Sequence, residues 1–232
     1  MLSAVVASAV AAVAGFGGAI LLLPVLVWVF GVRDAVPILT IAQLVGNGSR
    51  VWFNRADIDG RVVGWYSVGA VPLALLGGVL FAAAPLGWLA RLIGAFLIGG
   101  VTYRRLGGGR YPRCPARGFA GVGAGASLLS ALVGSTGPIT APFFLAYGLT
   151  RSAYIGTEAA ATVITHTFKL AAYGWTNLLS TEVLGAGLVL APCMVAGSWL
   201  GKGVLDRLSE RVFVILIEIV MVAAGALLIL RG

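Results

Sequence analysis

The sequence predicts an all-α integral membrane protein of two inverted repeats, each a broken or re-entrant helical hairpin followed by three transmembrane helices. Three observations carry this expectation. First, the 232-residue chain is 59% hydrophobic and 10% charged, with a mean hydropathy of +1.01, whereas a soluble domain carries about 25% charged residues. Second, an apolar run broken by glycines occurs twice, as Gly15-Phe16-Gly17-Gly18 leading to Pro24 and as Gly134-Ser135-Thr136-Gly137-Pro138 leading to Pro142. Third, the basic residues gather in short segments between apolar stretches, most densely in Arg104 to Arg117, which holds five arginines.

The first repeat covers residues 1–103. Its hairpin, 2–30, has an apolar arm at 2–14, the glycine break, and a second arm at 19–30. Each arm is about 20 Å long at the helical rise of about 1.5 Å per residue, too short for a hydrocarbon core of about 30 Å. The pair is therefore either one long broken helix that crosses or a re-entrant hairpin that returns. Spans follow at 34–53, 62–83 and 87–103, and residues 104–117 form a basic cytoplasmic linker. The second repeat, 118–232, has its hairpin at 118–148 and spans at 152–173, 182–203 and 211–230. Gly31 to Thr40 matches Gly148 to Thr157 at an offset of 117 residues. The apolar start lacks a basic n-region and does not read as a cleaved signal peptide.

Charge distinguishes the two schemes. With the linker cytoplasmic, crossing arms leave nine of the sixteen basic residues inside, and re-entrant arms leave twelve. The positive-inside rule favours re-entrance. Three spans per half then invert the halves relative to each other, as in many secondary transporters. The formal net charge of +8 lies mostly in loops between spans. It fits positive-inside topology and anionic lipid rather than nucleic acid. Cys114 and Cys193 stand alone, giving neither a metal spacing nor a disulfide framework. No cofactor, metal or catalytic residue is expected.

The duplicated Gly motif at this spacing, with Gly31-x8-Thr40 and its counterpart Gly148-x7-Gly156-Thr157, resembles the TauE/SafE (sulfite exporter, TSUP) family over nearly the whole chain. The resemblance implies a multi-pass protein of the bacterial cell inner membrane. Its implied cargo is a sulfur-containing anion such as sulfite, a sulfonate or a related organic anion.

The residues themselves point to where such an anion binds. Broken helices at membrane depth are tolerated only where they line a protein-enclosed cavity. A half-helix N-terminus there offers unpaired N–H groups and the positive end of a dipole. This makes Gly17, Gly18, Thr136 and Gly137 first candidates, with Ser135 and Thr140 adding hydroxyls. In span 34–53, Thr40, Gln43, Asn47 and Arg50 recur at helical spacing on one face. Gln43 and Asn47 are candidate ligands, and Arg50 reads as a snorkelling end residue. Span 152–173 carries Glu158, Thr162, Thr165, His166 and Lys169. Thr165, His166 and Lys169 join the substrate set, although His166 also reads as a packing residue or proton carrier and Lys169 as a snorkelling one. Glu218 is expected to pair with Lys169 or His166, or to carry a coupled proton.

The expected partners are a small anion, the lipid bilayer, a coupled proton and a second copy in a homodimer. Two other functions fit parts of the pattern. Ser135 with His166 forms the pair of an intramembrane serine hydrolase. The exposed carbonyls with Glu158 and Glu218 suit a cation channel or transporter.

Overall fold

The computed structural model describes residues 18–106, 114–205 and 210–231. The first arm at 2–14 and Gly17 lie outside the described residues. Eight α-helices are described: α1 (Gly18–Phe53), α2 (Gly60–Ala83), α3 (Leu86–Leu106), α4 (Phe119–Val133), α5 (Gly137–Tyr147), α6 (Arg151–Trp175), α7 (Thr181–Leu205) and α8 (Glu210–Arg231). By length and composition, four described segments can cross a membrane: Leu22–Phe53, Gly60–Ala83, Leu86–Tyr103 and Ala116–Val133.

Helix ends follow local chemistry. Asp59 caps α2, its carboxylate accepting from the N–H groups of Arg61 at 2.9 Å and Val62 at 3.1 Å, which satisfies two orphan donors of the first turn. Ser180 does the same for Val183 in α7, at 3.2 Å. The breaks fall on glycines with positive φ. Gly31 interrupts α1 at +78°, Gly134 ends α4 at +92°, and Gly148 ends α5 at +97°. Side chains rarely enter that region. Gly31 and Gly148, which the sequence aligns, both take positive φ but differ in ψ, 167° against 23°.

The arms α4 and α5 fold back on each other. Phe119, the first residue of α4, packs its ring 4.9 Å from that of Phe144 and 5.6 Å from that of Tyr147, both near the end of α5. Just after the break, Thr136 Oγ1 donates to the Ala126 carbonyl of α4 at 3.3 Å. The hairpin therefore ends beside its own beginning.

Close helix seams hold the bundle. α2 lies against α4, where a Cβ at Gly69 would overlap the Ala120 carbonyl oxygen and one at Gly123 would overlap that of Tyr66. α3 lies against α8, where a Cβ at Gly94 would come 2.6 Å from the Gly225 oxygen and one at Gly225 2.8 Å from the Gly94 oxygen. Small residues let backbones approach this closely in lipid. Gly121 and Gly125, on the same helix as Gly123, face open space and take no part in the seam. Elsewhere α1 packs on α7 and α6 on α2, while α1 and α6 pack on each other.

The surface is apolar, and polar side chains are buried within an otherwise apolar core. Trp28, Trp52, Phe53, Trp88 and Trp175 are exposed, while Thr40, Gln43, Asn47, Ser130, Glu158, His166 and Lys169 are buried. Exposed apolar helices, with aromatics such as Trp52, Trp88 and Trp175 near their ends, are what lipid selects.

Candidate functional site

The polar stripes of α1 and α6 face each other across the α4–α5 break and enclose a cavity of about 40 Å³. That is room for the centres of a few water-sized groups. Gln43, Gly46, Asn47 and Arg50 line it from α1, and Glu158, Thr162, Thr165 and His166 from α6. Ser130, Ser135, Thr136, Gly137 and Thr140 line it from the break and its flanks; Tyr66 comes from α2 and Met194 from α7.

The break is built by its own sequence. Gly134 takes the positive φ that ends α4, with Leu23 and Leu39 of α1 packed against it. α5 then starts at Gly137, and no side chain caps it. A Cβ at Gly137 would meet nothing within 4 Å. That N-terminus, with its positive dipole end, therefore borders open space in the cavity wall.

Hydrogen bonds fix most of the lining. Ser127 Oγ and Thr165 Oγ1 lie 2.7 Å apart, and Tyr66 Oη is 3.3 Å from the same threonine oxygen. Gln43 Nε2 donates to the Gly134 carbonyl at 3.4 Å. Arg50 Nη1 donates to Asn47 Oδ1 at 3.3 Å, and Thr162 Oγ1 to Glu158 Oε1 at 3.2 Å. His166 is the exception. It is 1% exposed, yet neither ring nitrogen has a hydrogen-bond partner. A buried polar atom left unsatisfied costs about 1–3 kcal/mol, so such an atom calls for an explanation.

Of the candidates read from the sequence, Gln43, Asn47, Ser135, Thr136, Gly137, Thr165 and His166 come together around this cavity. Gly17 lies outside the described residues, and Gly18 is described only as the start of α1. Lys169 corrects the expectation in two respects. It is fully buried, not snorkelling, and its ammonium is engaged by Ser130 and Gly134 rather than lining the cavity. Glu218 also differs. It accepts from Arg105 at 2.8 and 3.1 Å, because α8 packs on α3, away from the α1–α6 face.

Tyr66, Ser130, Gly46 and Met194 were missed. Ser130 had a signal, lying one turn before Gly134 on the face that also carries Ser127. Tyr66, Gly46 and Met194 sit among apolar or small neighbours and had none.

A polar chamber inside an apolar helical shell defines a membrane protein of the transport class, since buried ionisable groups at membrane depth mark solute pathways. The chain matches the family model described as Sulfite exporter TauE/SafE over residues 1–228 of 232, and it belongs to that family. The family implies a membrane exporter of sulfite or another anion, not an enzyme. No curated protein and no solved structure matches the chain.

Proposed function

We propose that the protein is a secondary transporter that exports sulfur-containing anions such as sulfite, sulfonates or related organic anions. It lies in the bacterial inner membrane as a multi-pass protein and works by alternating access around its two glycine breaks. The observation that carries this reading is His166, buried with both nitrogens unpartnered in a cavity that also receives the start of α5. An anion there would accept from the imidazole, from the hydroxyls of Ser135 and Thr136, and from the uncapped helix start. Asn47 and Gln43 would orient it from α1.

The fold-back of α4 and α5 supports a re-entrant hairpin, and the paired helix contacts support inverted halves. The hydrolase alternative requires Ser135 bonded to a His166 nitrogen, and neither nitrogen has a partner. The cation alternative is disfavoured by Lys169, whose ammonium already takes the carbonyls at the break.

Flux in proteoliposomes loaded with sulfite, thiosulfate or a sulfonate tests the reading. Transport of at least one of these, weakened in His166→Ala and lost in Gly137→Leu with both variants still inserted, is the expected result. Absence of flux for every such anion would overturn it.

A further inference from the structure

We propose that Lys169 is a built-in cation, whose ammonium fills the position that a bound sodium or potassium ion would otherwise take at the α4 break. This rests on the transport reading above and adds to it that the cycle needs no monovalent metal ion.

Lys169 Nζ donates to the Ser130 carbonyl at 3.2 Å, the Ser130 hydroxyl at 3.1 Å and the Gly134 carbonyl at 3.0 Å. Three donors thus meet three acceptors, all neutral oxygens. The side chain is fully buried, and among the described residues these oxygen dipoles are what its charge meets.

Both carbonyls belong to the last turn of α4 and its cap. The negative end of a helix dipole lies there, and in transporters with broken helices such half-helix C-termini and unwound carbonyls hold the coupling sodium ion. Carbonyl and hydroxyl oxygens converging on one point are a cation site, and here the cation is tethered to α6.

The tether has a second effect. An anion approaching Ser135 and Gly137 would otherwise meet the carbonyl end of α4 across the same cavity wall. The ammonium behind Ser130 offsets that repulsion without lining the cavity. Lys169 is therefore a positioning residue: it holds the break and fixes the sign of the local field.

The test compares the melting midpoint of the purified full-length protein in sodium or potassium chloride with that in choline chloride at equal ionic strength. The wild-type midpoint is expected to be the same in all three salts. Lys169→Ser opens the oxygen cluster, and its midpoint is expected to rise saturably with sodium or potassium. Specific stabilisation of the wild type by either metal ion would overturn the proposal, as would a variant as indifferent as the wild type. If Lys169→Ser does not insert, sulfite flux by the wild type in choline medium decides: undiminished flux supports the proposal, and collapse on removal of sodium and potassium overturns it. Stabilisation of the wild type by sulfite, measured alongside, reports on the anion reading separately.

Discussion

In the proposed site, His166 and Gly137 divide the work of the cavity between a side chain and the lack of one. Hydrogen bonds to charged groups contribute about 1.5–3 kcal/mol. His166→Ala is therefore expected to weaken apparent anion affinity by about 10- to 100-fold, read from the concentration dependence of flux. Gly137→Ala has room for its methyl group, so it is expected to insert normally while reducing flux by narrowing the cavity. Gly134→Ala differs, because its φ of +92° makes any side chain strained. It is expected to destabilise the protein by about 1–3 kcal/mol, seen as a lower melting midpoint.

Gln43, Asn47, Thr165 and His166 were legible because polar residues at helical spacing stand out in an apolar span. Lys169 was legible as a candidate, but neither its burial nor its partners were. Its acceptors, Ser130 and Gly134, lie 39 and 35 residues away, and no local pattern pairs them.

Among the helices, the seam between α2 and α4 sets how the hairpin sits on its neighbour. A larger residue at Gly123 has to displace the Tyr66 backbone, and overpacking typically costs about 1–3 kcal/mol. Gly123→Val is expected to lower thermal stability by at least that much, whereas Gly121→Ala, which meets open space, is expected to be neutral. The same melting assay checks both. In so glycine-rich a chain, spacing alone could not separate Gly123 from Gly121, since close approach depends on which helix face meets a partner. The break at Gly134 was readable, because glycine is the residue that positive φ favours, whereas Gly31 and Gly148 were read only as matching positions of the repeat.

For the molecule as a whole, the membrane path of the hairpin is the decisive property. If it is re-entrant, Thr150 emerges on the same side as the linker that carries Cys114. A Thr150→Cys variant lacking Cys193 is expected to react with an impermeant thiol reagent from the same face as Cys114. Reaction from opposite faces would mean that the arms cross. The all-helical fold and its apolar exterior were legible from composition and hydropathy. The pairing of α3 with α8, and of Arg105 with Glu218, was not, because contacts more than a hundred residues apart leave no trace in a single sequence.

The ring cluster of Phe119, Phe144 and Tyr147 fastens the two feet of the hairpin together. A loop clamped at its base has little freedom to splay, so its two arms are held as one unit. Its far end is tied to α6 through Lys169. Loosening the aromatic clamp is therefore expected to free the feet of the hairpin before it disturbs the chamber.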